Sequence, residues 1–254
     1  DVCSSDLLAV LLVAALSLGL YRFVEKRKLQ DQQMREAVLA LEGSVQQMKE
    51  ASAKGDFSQV KIDAGSGPAK TPAEVMQRVM LRAVEQRQAY ERELAPLALD
   101  KVLVPGSLAT AEGMRDAKDR LIKARSVVLR YQGTSAEVIT KAGEDIDQSL
   151  LESGQKAQLK QGFLKGQEKG LARASEKWAQ EMAMVNELYS TLMFLEARRS
   201  AWQPDGGQFA FTSQAELATF NQHLQEIKRI GQQSENLERQ GFDSAEQQFK
   251  QLRQ

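Results

Sequence analysis

The sequence predicts an all-α protein, in which an N-terminal transmembrane helix precedes an elongated antiparallel helical bundle with a small hairpin near residues 202–211. Three observations predict this class. The 254 residues include only 5 prolines and 6% aromatic residues, and they are rich in the residue types of long helices. Apolar residues recur at spacings of three and four, which is the period of amphipathic helices. Strand patterns do not alternate with helical ones, so no parallel sheet is expected.

The first six residues, Asp1 to Asp6, are expected to be non-native. The string DVCSSDL resembles the translation of a common sequencing adapter, and such segments are excluded from fold reasoning. On this interpretation Cys3, the one cysteine of the chain, is not part of its chemistry. Neither disulfides nor thiolate metal sites are then expected. A genuine N-terminus of a fragment is the alternative.

An apolar run from Leu7 to Val24, interrupted only by Arg22, predicts a membrane anchor. A spanning helix needs about 20 residues, with a lower limit near 17. Aromatic rings and basic side chains favour the membrane interface, and the flanking residues expected there are Tyr21, Arg22, Phe23, Lys26, Arg27 and Lys28. A cleaved signal peptide and a buried core helix are the alternatives.

The anchor predicts a single-pass membrane protein, and the adapter-like start favours a bacterial source, so a bacterial inner membrane is expected. The basic flank favours a cytoplasmic location for the soluble part of the chain. That rule compares the two flanks of a span, however, so the side on which the soluble part lies is left open.

Residues 25–52 are predicted to form a juxtamembrane amphipathic helix. Its apolar stripe has the register of a coiled coil over two heptads and comprises Met34, Val38, Leu41, Val45 and Met48. Such a stripe fits a homo-oligomer formed through this helix. Docking of the helix on its own domain is the alternative.

Residues 53–71 are rich in glycine, serine and proline and predict a flexible linker. The next helix has a clear start signal at Thr71-Pro72-Ala73-Glu74, in which a capping threonine precedes proline and glutamate. The bundle is expected over residues 72–240, and the polar tail 241–254 is expected to be frayed or weakly docked.

Within the bundle, breaker residues set the expected helix ends. Pro96 ends the first helix, Gly133-Thr134-Ser135 stops the second and caps the third, and Gly154 precedes a long helix that reaches Trp202. Thr212 or Ser213 caps the last helix. The second helix has the clearest buried stripe, which comprises Met114, Ala117, Leu121, Ala124, Val128 and Tyr131.

Gly162, Gly166 and Gly170 recur every four residues on one helix face. The spacing allows close approach of another backbone. A hinge and a break between two helices are the alternatives.

No metal, cofactor or catalytic residue is predicted. His223 is the only histidine, and its His-x-x-Glu spacing to Glu226 reverses the Glu-x-x-His pattern of di-iron bundles. One histidine and no native cysteine leave little for nucleophilic catalysis.

Nucleic acid is not an expected partner, because 34 basic residues balance 34 acidic ones. The second bundle helix does carry an excess of bases, namely Arg115, Lys118, Arg120, Lys123, Arg125 and Arg130. They spread around its polar side, so a solvated face is expected.

These observations favour a membrane-anchored helical scaffold or assembly protein, without catalytic activity, that holds a protein partner. Trp202, Phe209 and Phe211 on the predicted hairpin are the expected partner contact, because aromatic side chains dominate many interfaces. Packing of these rings on the end of the bundle is the alternative. A ligand-sensing ectodomain is the second function, and an inter-helix pocket lined by Arg87, Tyr90 or Arg130 would favour it.

Overall fold

The computed structural model describes residues 32–54, 56–63 and 68–252, and the predicted anchor lies outside them. The described chain is mostly helical, as the sequence predicts. The six α-helices of this part are α1 (Gln32–Lys54), α2 (Pro72–Leu94), α3 (Pro105–Leu108), α4 (Ala111–Gln148), α5 (Ser153–Ala197) and α6 (Gln214–Leu252). Short 3₁₀ turns cover Ala95–Leu97, Leu99–Lys101 and Arg199–Ala201, and a hairpin of β1 (Trp202–Asp205) and β2 (Gln208–Phe211) precedes α6.

The chain divides into two compact units rather than into the single bundle expected over residues 72–240. Unit 1 includes 90–131 and 178–235. Unit 2 includes the described parts of 5–89, 132–177 and 236–254. Unit 2 therefore draws on the predicted juxtamembrane helix, linker and tail.

The apolar stripe of α1 lies in the core of unit 2. Val38, Leu41, Val45 and Met48 are all buried, and they belong to one cluster with residues of α2 and α4 such as Val79 and Ala142. Helix α1 thus docks on its own unit, which is the alternative to the coiled coil. A homo-oligomer through α1 stays a prediction, and it would have to use another face of the helix.

The segment predicted to be a flexible linker is packed where the structure describes it. Phe57 is completely buried, and Val60, Ile62 and Ala69 are buried with it. The carbonyl of Phe57 accepts a hydrogen bond from Gln88 Nε2 at 2.7 Å. The prediction of a tether is corrected for residues 56–63 and 68–70, because apolar side chains between the glycines and serines reach the core.

The start of α2 agrees with its predicted cap. The Glu74 amide donates to Thr71 Oγ1 at 3.2 Å, and the Glu74 carboxylate accepts from the Lys70 amide at 2.6 Å. Together these bonds satisfy two amides at a helix start, as a capping box does. Helix α2 ends at Leu94, just before Pro96, also as predicted.

Helix α4 does not stop at Gly133, which corrects a predicted boundary. The helix is continuous from Ala111 to Gln148, and Gly133 itself faces solvent. A glycine inside a helix costs only about 1 kcal/mol relative to alanine. Burial of Val128 before it and Val138 after it outweighs this cost.

The tail beyond residue 240 is a docked helix rather than a frayed end. Phe242 is 3% exposed and Ala245 is completely buried. Glu246 forms an ion pair with Lys49 of α1 within unit 2. Phe242 and Ala245 are three residues apart and lie on one helix face. The polar composition of the tail gave no indication that these two residues would be buried.

The predicted core stripes are largely confirmed. Met114, Ala117, Leu121, Ala124 and Val128 are all buried. Three other leucines, Leu150, Leu171 and Leu224, are exposed. Leu150 lies just after the end of α4, where the helical period no longer fixes the direction of its side chain.

Candidate functional site

The predicted hairpin is present in unit 1. Its strands pair antiparallel, with Trp202 opposite Phe211 and Asp205 opposite Gln208. Gly206 and Gly207 form the turn with φ of 53° and 83°. Two successive positive φ angles suit a two-residue turn whose twist matches the strands, so this turn requires its glycines.

The rings of the hairpin pack against α5 and α6. Trp202 is 2% exposed, and its Nε1 donates to the Leu195 carbonyl at 2.8 Å. The Phe209 ring lies 5.0 Å from that of Trp202 and 4.9 Å from that of Phe220. The Phe211 ring lies 5.2 Å from that of Phe220. We call Phe194, Trp202, Phe209, Phe211 and Phe220 the ring cluster.

The ring cluster corrects part of the predicted partner contact. Trp202 is buried within its own unit, so its ring is not a surface anchor. Phe209 and Phe211 are half-buried, so part of each side chain remains open to a partner. For Trp202 the structure shows the alternative, in which the ring packs on the bundle.

Arg199 completes the support of Trp202 and was missed by sequence reasoning. Its guanidinium carbon lies 4.4 Å from the centroid of the Trp202 ring, a cation–π distance. The same side chain donates to the Ala109 carbonyl at 2.6 Å. An arginine three residues before a tryptophan was the available signal, but that spacing is too common to be informative.

His223 lies beside the ring cluster and is paired with a residue of another helix. Its Nδ1 lies 2.6 Å from Glu187 Oε1, and its ring lies 5.5 Å from that of Phe194. Glu226 forms an ion pair with Arg229 instead. The His-x-x-Glu pair therefore does not converge, and the described residues contain no cluster of ligand-type side chains that could hold a metal ion.

A second polar group lies inside unit 1 around Tyr90, which is 1% exposed. Its hydroxyl donates to Glu181 Oε2 at 3.2 Å. Its ring makes edge-on contacts with Trp178 at 5.3 Å and with Tyr131 at 5.4 Å. Such T-shaped contacts are favourable for aromatic rings, so Tyr90 is held by both its ring and its hydroxyl.

Tyr131 connects this group to the surface. Its hydroxyl donates to Glu93 Oε1 at 2.8 Å, and Arg130 forms an ion pair with the same carboxylate. Partial burial, followed by the bond to Glu93, raises the pKa of Tyr131 above its ordinary value of 10.0. The phenol is therefore held in its neutral, donating form.

The residues predicted to line a sensor pocket are thus engaged within the chain. Tyr90 and Arg130 have the partners just described. Arg87 belongs to unit 2, where it is 5% exposed and its guanidinium carbon lies 5.9 Å from the Phe57 ring centroid.

The three spaced glycines lie inside the continuous helix α5. Gly162 and Gly166 are buried and Gly170 is half-buried. A break between two helices at this point is therefore wrong. Burial of the first two glycines agrees with close packing.

The basic residues of α4 divide into two groups. Arg120 pairs with Asp116, Lys118 pairs with Glu196 at 2.7 Å, and Arg130 pairs with Glu93. Arg115, Lys123 and Arg125 are exposed. In the described chain none of these three forms a hydrogen bond or an ion pair.

The flank residues Tyr21, Arg22, Phe23, Lys26, Arg27 and Lys28 lie outside the described ranges. Within those ranges, no helix has both the length and the apolar character that a membrane span needs.

Comparisons of the chain with protein-family models, with curated proteins and with solved structures give no significant match.

Proposed function

We propose that the chain is a membrane-anchored helical scaffold that holds a protein partner and catalyses no reaction. The observation that carries the proposal is the short stretch of sequence between the apolar run and α1. Residues 25–31 alone separate Val24 from Gln32. Seven residues reach at most about 25 Å when fully extended. An anchor at 7–24 would therefore keep the folded chain close to the bilayer surface.

The attachment of α1 supports this role. Its buried stripe belongs to the core of unit 2, so a folded unit begins within a few residues of the apolar run in sequence. A membrane anchor joined in this way restricts the position of the unit more than a long flexible tether would.

The polar side chains inside unit 1 support a structural role. Glu187 binds His223 and Glu181 binds Tyr90, so each pair joins two separate parts of the chain. Hydrogen bonds of this kind satisfy buried polar groups and fix how helices pack. In the proposed scaffold these groups order the bundle and take part in no chemical step.

Fractionation tests the anchor. The full chain with an initiating methionine is expressed in a bacterium, and membranes are washed with alkaline carbonate. We expect the chain to stay in the membrane pellet and a variant lacking residues 7–24 to be released. Recovery of the intact full chain in the supernatant would refute the anchor.

Cysteine labelling then tests which side the soluble part occupies. In a Cys3→Ser background, Ala218→Cys reports on unit 1 and Ala136→Cys reports on unit 2, since both positions are exposed. Labelling of intact cells by an impermeant maleimide would show an exported domain. Labelling only after lysis would show a cytoplasmic domain. A shortened, soluble labelled product would replace the anchor with a cleaved signal peptide.

A ligand-sensing domain is the second candidate, and the group around Tyr90 is the observation that favours it. The rings of Tyr90 and Trp178 and the carboxylate of Glu181 are buried together in unit 1, and the half-buried Tyr131 ring contacts Tyr90. Aromatic rings next to a carboxylate suit a cationic ligand. A thermal-shift screen of small amines tests this function, and Tyr90→Phe should reduce any shift. No shift with any amine would remove the amine sensor from consideration.

A further inference from the structure

One face of α4 exposes apolar side chains that the core does not use. Ile122 is 52% exposed and Leu129 is 53% exposed. They are seven residues apart, so they lie on one stripe of the helix, about 10 Å apart along its axis. Ser126 lies between them and is also exposed.

Unpaired bases flank these two residues. Arg115, Lys123 and Arg125 are exposed, and within the described residues they form no ion pair. In the same part of the chain, two exposed acids near them, Glu112 and Asp119, also form no ion pair. This face therefore carries an excess of positive charge in a chain whose basic and acidic residues balance.

We propose that this surface, which we call the α4 face and define by Arg115, Ile122, Lys123, Arg125 and Leu129, docks an acidic amphipathic helix of a protein partner. The inference rests on the partner-holding role in the proposed function. It does not depend on the membrane anchor.

The chemistry of the α4 face indicates this occupant. Apolar residues seven apart match the repeat of a helix that packs along α4. The three bases beside them outnumber the two unpaired acids, and this excess favours carboxylates on the partner, since complementary charges steer and orient association. A partner helix with glutamate or aspartate beside its apolar stripe meets both needs.

Other occupants fit less well. A second copy that used the same face would bring like charges together, which is unfavourable. Membrane insertion needs a broad apolar face, but only Ile122 and Leu129 are available because Leu121 and Val128 are completely buried. Single-stranded nucleic acid is bound through stacking on aromatic rings, and the α4 face has none.

Fluorescence anisotropy with a synthetic peptide tests the proposal. The full chain is kept in a mild non-ionic detergent, so the measurement does not require the anchor to insert in a bilayer. The probe is a labelled three-heptad helix with leucine at its apolar positions and glutamate beside them. The control peptide has lysine in place of that glutamate. We expect the acidic peptide to bind at least about tenfold more tightly than the basic one, and its binding to weaken as salt is raised.

Two double variants probe the two components of the face. Ile122→Ser with Leu129→Ser removes the apolar pair, and Lys123→Glu with Arg125→Glu reverses two charges. Each is expected to weaken binding of the acidic peptide by about tenfold or more. Leu39→Ser and Lys61→Glu are matched controls on other exposed positions and should leave binding unchanged. Circular dichroism checks that every variant retains its helices.

Several results would overturn the proposal. Equal binding of the two peptides, no binding of either, or equal losses in the control variants would each do so. Loss of anionic-vesicle association on substitution of the same residues in a variant lacking residues 7–24, without peptide binding, would assign the face to lipid. Membrane fractionation reports on the anchor by itself, so failure of the α4 face and failure of the anchor remain distinguishable.

Discussion

Phe57 offers the most direct test of how the segment between α1 and α2 is held. The substitution is Phe57→Ala. The side chain is completely buried and belongs to the core cluster of unit 2. If the segment were a flexible tether, removing the ring would change the free energy of unfolding by no more than about 0.5 kcal/mol, as a surface substitution does.

The expected loss of stability follows from the burial of the ring. A buried aromatic side chain removes roughly 150–250 Å² from water, worth about 4–6 kcal/mol at roughly 25 cal/mol per Å². Alanine keeps its methyl group, and the unfolded chain already hides part of the ring. We therefore expect about 3–4 kcal/mol, the lower part of the usual range for Phe→Ala in a core.

Hydrogen–deuterium exchange with mass spectrometry is the assay, because it reports on local stability. Peptides from α1 within residues 38–54 should exchange at least about a hundredfold faster in Phe57→Ala, since each 1.4 kcal/mol is a factor of ten. Lys61→Ala is the matched control, because Lys61 lies in the same segment and is exposed. Indistinguishable exchange in the two variants would refute the packed segment.

Three further predictions concern unit 1 and α4. Gly113→Ala should destabilise the chain by about 1–3 kcal/mol, because a Cβ at Gly113 would lie 2.0 Å from a backbone oxygen. Gly133→Ala should stabilise it by about 0.5–1 kcal/mol, because that Cβ would meet nothing within 4 Å; urea unfolding compares the pair, and equal effects would contradict the argument. Trp202→Ala should cost about 3–5 kcal/mol and Trp202→Phe clearly less, as near-ultraviolet circular dichroism and urea unfolding would show; equal losses would mean that the ring contacts contribute little. Because the folded-state pKa of Tyr131 is raised above 10.0, its contribution to stability is complete below about pH 10 and is lost as pH rises through the folded-state pKa. Glu93→Gln should lower that pKa in an ultraviolet titration, and an unchanged titration would argue against the hydrogen bond between them.

Most helices could be predicted from the sequence, because the apolar residues of each helix recur with the helical period over a short stretch of chain. The buried residues of α4 from Met114 to Val128 follow the helical period without interruption. The hairpin could be predicted equally well, because two consecutive glycines favour the positive φ angles that its tight turn has. Each of these predictions needs only neighbours along the chain.

The packed segment and the tail could not be predicted in the same way. Phe57 is held by residues such as Gln88, 31 positions later in the chain. Phe242 reaches a core that α1 also lines. Both depend on contacts between distant parts of the sequence. Neither the glycine- and serine-rich composition of the segment nor the polar composition of the tail indicates such contacts.

The candidate sites were predicted less well than the helices. The sequence identified the hairpin rings, but it could not show on which side of the two strands they would pack. Trp202 therefore belongs to the interior, although large aromatic residues are typical of interfaces. The sequence indicated no metal site at His223, and the pairing of His223 with Glu187 across 36 positions had no local signal.

Helix α4 shows why an unused apolar face can be overlooked. Leu121 and Ile122 are adjacent, as are Val128 and Leu129, and in each pair the first residue is buried and the second exposed. Adjacent residues are about 100° apart around a helix, and here the buried stripe includes Leu121 and Val128 but leaves Ile122 and Leu129 outside it. A search for the best single stripe assigns the first member to the core and leaves the second unexplained. Because the same offset recurs after seven residues, the exposed pair forms a stripe of its own, with the repeat that a second helix would recognise. The periodicity that builds the core of unit 1 therefore also provides the surface proposed to bind a partner.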